Sequence, residues 1–210
     1  MTMHTPLPPN TDELNSDPSD ESSPACILVF NASDPSGAGG LTGDIATIAS
    51  VGGHAIAVVT GAYARDTAQF FAQFCLSGGA VAAQARAVLE GFPVQAITVG
   101  FVGSTENIST IAEIAADYDD VPVIAYMPNL SWWREELIDE YLDAFRELLL
   151  PQTSVLVGNH STLWRWLLPD WSSDRSPTAR DIARAASEMG VPYTLVTGIP
   201  LPEQFVENVL

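Results

Sequence analysis

The chain has 210 residues with 26 acidic and 8 basic side chains, so its formal net charge is −18 and its isoelectric point lies near 4.1. All the basic residues are arginine, and they are too few to form the basic patch that releases counterions from phosphates. Nucleic acids and anionic membrane surfaces are therefore not expected as partners. No apolar run reaches the ~18 residues needed to span a bilayer, which makes the cytoplasm the default location.

In chain order, residues 1–24 are rich in proline, serine and aspartate and offer almost no apolar side chain to bury. The entropy of ordering them would go uncompensated, so they are predicted to form a disordered acidic tail. Residues 25–210 suit one domain with a substantial core. Cys26 and Cys75 are too few for a disulfide framework, and no cysteine or histidine cluster has metal-ligand spacing, so no metal ligands are predicted.

The stretch around which the chain is organised is NASDPSGAGGLTGD at residues 31–44, directly after the apolar run ACILVF. The run is typical of a buried strand, and the glycines let the loop adopt positive φ and approach a ligand closely. A helix is then predicted to start near Gly40 and to face the sheet with an apolar stripe of Leu41, Ile45, Ile48 and Val51.

Two carboxylates of this stretch have competing interpretations. Asp44, at the edge of the stripe, is either a first-turn residue that interacts with the helix dipole or a partly buried acceptor for a ligand's N–H groups. Asp34 either caps the glycine loop through the loop's own backbone or contacts a substrate. The residue pattern alone leaves both alternatives open.

Apolar runs then alternate with helical periodicity along the chain. Strands are predicted at residues 54–60, 96–102, 121–127, 154–157 and 192–197, with a weaker edge strand at 68–74. Helices are predicted after Ser77, over 104–118, over 134–149, around Trp164, and from Ser176 and Pro177 to Gly190. The alternation predicts an α/β fold with a parallel sheet and helices on both faces.

The loop GAYARD at residues 61–66 follows the second strand, at the edge where open parallel sheets place their ligands. Arg65 and Asp66 are therefore predicted to face the same crevice as the glycine loop. Trp132 and Trp133 either stack on a base or, as is commoner, pack against other aromatic residues. His160 either acts as an acid or base or lies on the surface.

The runs SDPSGAGGLTGD, VVTGAY, VGFVG, LLLP and TLVTG together resemble the hydroxymethylpyrimidine and phosphomethylpyrimidine kinases of thiamine synthesis. The resemblance covers residues 26–198, and its first motif, followed at a fixed distance by Asp44, is the specific one. It implies the ribokinase-like fold, a doubly wound and mostly parallel sheet. It also implies phosphorylation of a small aminopyrimidine with ATP and Mg²⁺ as cofactors, on a fold that is often dimeric.

Taken one position at a time, the resemblance implies that Asp44 accepts hydrogen bonds from the aminopyrimidine. Arg65 stands where the family has a glutamine that reads the pyrimidine, and Ala32 stands where the family usually has glycine. The other positions that the resemblance places at the substrate are Asp34, Gly37, Gly39, Gly40 and Phe101.

The resemblance weakens toward the phosphate-handling end. The acid of the family's DPV motif falls within YMP at residues 126–128, which carry no charge at neutral pH. An asparagine and a glutamate near Mg²⁺ fall on Asn159 and Thr162, which should weaken placement of the metal. The KGGH lysine falls on Thr197, and only the glycine is kept, at Gly198. The nucleotide-binding positions implied are Asn159, Thr197 and Gly198.

The family's glycine-rich GTG loop, which carries the catalytic base and the anion hole, would lie beyond Leu210. No catalytic residue is therefore assigned, and the domain is expected to be incomplete at its C-terminal end. One hypothesis is a pyrimidine kinase whose catalytic loop is missing from this chain. The other is a binding or regulatory module that keeps the pyrimidine pocket without transferring phosphate.

Overall fold

The computed structural model describes residues 23–202 and 205–210, so the predicted tail over residues 1–24 lies almost wholly outside the described part. The strands of that part are β1 (Cys26–Ser33), β2 (His54–Arg65), β3 (Phe70–Cys75), β4 (Val94–Val99), β5 (Val123–Met127), β6 (Val155–Asn159), β7 (Tyr193–Pro200) and β8 (Val206–Val209). The α-helices are α1 (Gly40–Ser50), α2 (Gly78–Leu89), α3 (Thr105–Ala116), α4 (Glu135–Ala144), α5 (His160–Leu167) and α6 (Ala179–Glu188). After α4 the chain continues through a π-helical turn at Phe145–Leu149 and a 3₁₀ turn at Leu150–Gln152.

The eight strands form one sheet in the order β3-β2-β1-β4-β5-β6-β7-β8. Its inner strands pair in parallel, whereas β3 runs antiparallel to β2 at one edge and β8 runs antiparallel to β7 at the other. The prediction of a mostly parallel sheet is thus confirmed. The pattern of residues 206–209 by itself does not predict β8, which is defined by its pairing with β7.

The chain winds in two directions from β1, first to β2 through α1 and then from β4 step by step to β7. Right-handed crossovers in opposite directions place helices on opposite faces, so α1 covers one face and the later helices cover the other. In β1, Leu28 and Phe30 join the main core under the later helices, while the equally buried Val29 points toward α1. The prediction of helices on both faces is confirmed.

The apolar stripe of α1 is only partly buried. Leu41 is enclosed, but Ile45 is 41% exposed and Val51 is 80% exposed. Within the described residues α1 packs mainly on β1 and β2, and none of its main contacts is with another helix. The prediction that the whole stripe faces the sheet is therefore wrong, because periodicity identifies an apolar face without showing what covers it.

Side-chain caps define several helix starts. Ser77 and Ser104 accept hydrogen bonds from backbone N–H groups in the first turns of α2 and α3. The last helix, α6, begins later than predicted, because Thr178 rather than Ser176 forms its capping box. None of the described helices is long and apolar enough to cross a membrane.

His160 begins α5 and is buried, with 7% of its surface exposed. Its Nε2 atom donates a hydrogen bond to the carbonyl oxygen of Pro177 over 2.7 Å. The prediction of a surface histidine is therefore wrong: the imidazole ties the start of α5 to the segment before α6.

Candidate functional site

A cavity of about 400 Å³ opens where the winding reverses, at the carboxyl ends of β1, β2, β4 and β5. This is the position at which open α/β sheets place their ligands. The volume lies in the range of pockets that hold small organic ligands. The lining residues are Asn31, Asp34, Gly39, Gly40, Tyr63, Arg65, Ala68, Gln69, Phe70, Phe101, Tyr126, Pro128 and Trp132.

The glycine loop forms one wall of the cavity because Gly40 can adopt a left-handed conformation. Its φ is +60°, and a Cβ atom added there would lie 2.5 Å from the carbonyl oxygen of Ala32. Side chains larger than hydrogen are therefore excluded at this position. The turn is held by the Gly37 amide, which donates to the carbonyl oxygen of Asp34 over 3.2 Å.

Asp34 carries the buried charge of this wall. Its side chain is 2% exposed, and Oδ1 accepts hydrogen bonds from the Ser36 amide and hydroxyl over 2.9 and 2.7 Å. The predicted capping role of Asp34 is therefore present. Its second oxygen, Oδ2, lies 3.5 Å from Nη1 of Arg65, which is 31% exposed and donates from Nε to the Asp66 carbonyl.

Asp44 is linked to the cavity through Asn31. The Asn31 amide donates to Asp44 Oδ2 over 2.8 Å, while Asn31 Oδ1 accepts from the Ala32 amide over 2.9 Å. Burial raises the pKa of the Asp44 carboxyl, and the hydrogen bond from Asn31 partly offsets this. Asn31 lines the cavity but Asp44 does not. Direct contact between Asp44 and a ligand stays a prediction.

Aromatic side chains form the opposite walls, with Phe101 at their centre. Its ring lies 5.2 Å from Trp132 and 5.0 Å from Trp133, both edge-to-face, and 6.3 Å from Tyr63 in a stacked arrangement. The tryptophans therefore pack against other aromatic residues, as the commoner interpretation predicts. Phe70 and Trp132 approach to 4.3 Å and close the cavity at the β3 side.

The Tyr63 hydroxyl adds a neutral donor to the aromatic wall. Burial is the main cause that raises its pKa, followed by the charges of nearby acidic groups, including Asp34. Tyr63 therefore stays protonated at neutral pH. Within the described residues its hydroxyl forms no hydrogen bond, so it remains available to a ligand.

The structure brings together only some of the predicted substrate residues. Asp34, Gly39, Gly40, Arg65 and Phe101 line the cavity. Ala32, Gly37 and Asp44 support it from behind through the contacts described above. Sequence reasoning did not identify Asn31, Tyr63 and Phe70 as lining residues, and it raised Trp132 only as the less common alternative of base stacking. For Asn31 and Tyr63 the available signal was their place at the carboxyl ends of strands.

The three predicted nucleotide positions lie together at the carboxyl ends of β6 and β7, apart from this cavity. Asn159 Oδ1 accepts from the Ser161 amide over 3.0 Å and so caps α5. Thr197 Oγ1 donates to the Gly158 carbonyl over 3.2 Å, and the Gly198 amide donates to Asn208 Oδ1 over 3.0 Å. Each residue thus has a bonding role within the fold.

Carboxylate ligands for Mg²⁺ are not assembled in the described part of the chain, which holds no group of three or more His, Cys, Asp or Glu residues suited to a metal ion. The YMP segment supplies the aromatic ring of Tyr126 and Pro128 to the cavity wall. The segment contains no acid, so it supplies no carboxylate to Mg²⁺ at the place of the family's DPV motif.

Comparison with known proteins identifies the family. Residues 34–210 match the protein family described as phosphomethylpyrimidine kinase. The chain belongs to that family. The resemblance of its motifs to pyrimidine kinases is thus confirmed.

Relatives of this family member are longer than the chain. A hydroxymethylpyrimidine/phosphomethylpyrimidine kinase of Streptomyces coelicolor is 28% identical over 197 residues, which are 93% of this chain and 68% of the relative. The Escherichia coli kinase of the same description is matched over 63% of this chain and 50% of its own length. The chain therefore spans between half and about two thirds of these curated relatives.

Solved structures show the same ribokinase-like fold. The phosphomethylpyrimidine kinase of Clostridium difficile superposes with a TM-score of 0.73 at 22% identity, covering 88% of this chain and 83% of that one. An ADP complex of Bacillus subtilis pyridoxal kinase gives 0.72 at 19% identity, covering 89% and 75%. The same fold thus occurs in a phosphomethylpyrimidine kinase and in a pyridoxal kinase.

Proposed function

We propose that this chain binds hydroxymethylpyrimidine or its monophosphate in the cavity beside the glycine loop, for phosphorylation by MgATP in thiamine biosynthesis. The observation that carries the proposal is the combination of an aromatic enclosure with one buried carboxylate and one guanidinium at neighbouring strand ends. Membership of the phosphomethylpyrimidine kinase family supports the substrate class.

The aromatic side chains around the cavity can pack against a planar ring, so a planar ring is the ligand that they suit best. Phe101, Tyr63 and Trp132 approach one another with stacked and edge-to-face geometry around the cavity. A heteroaromatic ring can replace water against such surfaces and gain both apolar burial and ring–ring contact. The enclosure positions the ring and excludes water from its faces.

The charges of the cavity favour a ring that is neutral overall. Among the lining residues that the structure describes, only Asp34 and Arg65 are charged, and their charges cancel. A neutral aminopyrimidine ring leaves this balance intact, whereas a charged ring would need an added counterion inside the cavity. The cavity therefore offers polar groups for hydrogen bonding at no net electrostatic cost.

ATP would supply the phosphoryl group and Mg²⁺ would neutralise its charge in the proposed reaction. The described residues hold and orient the ring, and the nucleotide positions Asn159, Thr197 and Gly198 lie at the neighbouring strand ends. Mg²⁺ is usually held by one or two carboxylates together with substrate phosphates and water, so its placement is part of the proposal for the whole protein.

A second candidate function is a pyrimidine-binding or regulatory module without phosphoryl transfer. It is favoured by the bonding roles of Asn159, Thr197 and Gly198 within the fold and by the uncharged Tyr126 at the place of the family's acid. In this candidate the same cavity binds the same ring, and binding itself is the function.

The two candidates are separated by measuring binding and turnover on the full-length protein, including any sequence that continues beyond Leu210. We expect calorimetry to detect hydroxymethylpyrimidine in both cases. Release of ADP from MgATP in the presence of the pyrimidine supports the kinase, whereas binding without ADP release supports the module. Absence of binding to both hydroxymethylpyrimidine and phosphomethylpyrimidine overturns the two candidates together.

A further inference from the structure

Arg65 and Asp34 stand side by side in the cavity without forming a close bond. Their nearest atoms, Nη1 and Oδ2, are 3.5 Å apart, whereas charge-assisted N–H···O bonds are about 2.7–2.9 Å long. The pair is therefore an ionic contact in which each partner keeps hydrogen-bonding capacity.

The free capacity of Arg65 lies at the end of its guanidinium. Nε donates to the Asp66 carbonyl over 3.1 Å, and within the described residues Nη1 and Nη2 form no hydrogen bond. A guanidinium can only donate, so this end requires an acceptor from a ligand.

Asp34 has the complementary free capacity: it can accept a hydrogen bond where Arg65 can donate one. Oδ1 is occupied by both donors of Ser36, while Oδ2 has no hydrogen bond within the described residues. Gly39 lies beside this oxygen: an added Cβ there would be 3.8 Å from Oδ2, and because the residue is glycine no side chain covers the oxygen from that position. A carboxylate can only accept, so this oxygen requires a donor from a ligand.

We infer that Asp34 and Arg65 act together as the specificity pair of the cavity and read a ring edge on which an amino group adjoins an unprotonated ring nitrogen. The amino N–H donates to Asp34 Oδ2, and the ring nitrogen accepts from an Nη atom of Arg65. Carboxylates that accept from an amino group and arginines that donate to ring acceptors are the same pairings that proteins use on nucleic-acid bases. This inference rests on the proposed function, because it assigns the edge of the ring that the cavity binds.

The pair discriminates against rings with the opposite edge. In the oxo analogue of hydroxymethylpyrimidine, a carbonyl replaces the amino group and the adjacent ring nitrogen carries a proton. The carbonyl would then face the Asp34 carboxylate and the N–H would face Arg65, unless the ring turned over and moved its hydroxymethyl group to the other side. A buried site that pairs with a ligand's N–H rejects analogues that leave it unpaired.

The test is calorimetry of the full chain with hydroxymethylpyrimidine and with its oxo analogue. We expect the wild type to bind the amino compound at least ~30-fold more tightly than the oxo compound. Asp34→Asn keeps an acceptor for Ser36 and turns the second position into a donor, so the preference should fall to within about 3-fold or reverse. Arg65→Met keeps the length of the side chain without donors and should weaken the amino compound by ~10-fold or more.

Arg134→Met is the matched control, because Arg134 is an exposed arginine outside the lining of the cavity, and its affinities should equal those of the wild type. The thermal midpoint of each variant shows whether it is folded. If Asp34→Asn does not fold, the amino-to-oxo ratio of the wild type and the loss in Arg65→Met still decide the matter.

Two results overturn the inference while leaving the proposed function in place. One is an amino-to-oxo ratio near one in a wild type that binds both pyrimidines. The other is a ratio that is unchanged in Asp34→Asn and changes in Asp44→Asn, which assigns the ring edge to Asp44. A wild type that binds neither pyrimidine overturns the proposed function and the specificity pair together.

Discussion

Along the order of its strands the sheet has two lateral ends, one with β1, β2 and β4 and the other with β6 and β7. The polar residues of these two ends differ in what they bond to. At the β1, β2 and β4 end, Asp34, Arg65 and Tyr63 face a cavity and retain hydrogen-bonding capacity. At the β6 and β7 end, Asn159 and Thr197 bond within the fold. A motif position can contribute to binding only when the fold leaves its polar atoms free. The β1, β2 and β4 end meets that condition better than the β6 and β7 end.

The largest expected effect comes from a substitution in the glycine loop, which should remove the difference between the two ends by destroying the cavity. Gly40→Ala places a Cβ atom 2.5 Å from a backbone oxygen at a φ of +60°. We expect the free energy of unfolding to fall by about 2–3 kcal/mol from the strained backbone and the clash. Binding of hydroxymethylpyrimidine should be lost, because Asp34 lies against the same turn. Urea denaturation and calorimetry measure the two effects.

Gly43→Ala is the matched control for that variant. Gly43 lies in the same helix, and an added Cβ there meets no atom within 4 Å. Since alanine favours helices over glycine, this variant should be more stable by up to about 1 kcal/mol and should bind the pyrimidine as the wild type does. Equal behaviour of the two variants would show that the loop's conformation does not shape the cavity.

A smaller effect is expected at the β6 and β7 end of the sheet, where a substitution should change stability without changing pyrimidine binding. Asn159→Ala removes the side-chain cap of α5 and should lower the free energy of unfolding by about 1 kcal/mol. Affinity for hydroxymethylpyrimidine should not change, because Asn159 does not line the cavity. Asn159→Asp keeps the capping acceptor and should retain the wild-type stability. A loss of pyrimidine affinity in Asn159→Ala would mean that the two ends are coupled.

The smallest effect concerns Asp44 and depends on pH. Burial raises the pKa of this carboxyl above its ordinary value of 3.8, so its ionised form costs the folded state some stability. The cost is present above the folded-state pKa and disappears as the pH falls toward the ordinary value. We therefore expect Asp44→Asn to be slightly more stable than the wild type at pH 7, with no difference below the ordinary pKa.

Urea unfolding of Asp44→Asn and the wild type between pH 3.5 and 7 measures this difference. The substitution keeps an acceptor for Asn31, so the hydrogen bond that positions Asn31 at the cavity is conserved. A variant that is less stable than the wild type at neutral pH would indicate instead that the charge of Asp44 is stabilised where it lies.

Part of the candidate site is predictable from the sequence because it is local. The glycine loop follows a buried strand directly, and the capping of that loop by Asp34 involves residues two positions apart. The link between Asn31 and Asp44 spans thirteen residues and was not predicted, because it depends on how α1 turns back over the end of β1. The exposure of Ile45 and Val51 was also missed, since periodicity carries no information about neighbouring elements.

The sequence by itself determined the alternation of strands and helices, the glycine loop and the family, because these depend on residue patterns that are contiguous in the chain. The sequence also predicted that Arg65 faces the crevice of the glycine loop. Only the tertiary structure decided that its guanidinium lies beside Asp34 Oδ2, and that Tyr63, Phe101 and Trp132 enclose one cavity. These residues come from separate strand ends, and the order and register of the strands bring them together. Contacts of this kind follow from packing over the whole sheet, which no local pattern specifies.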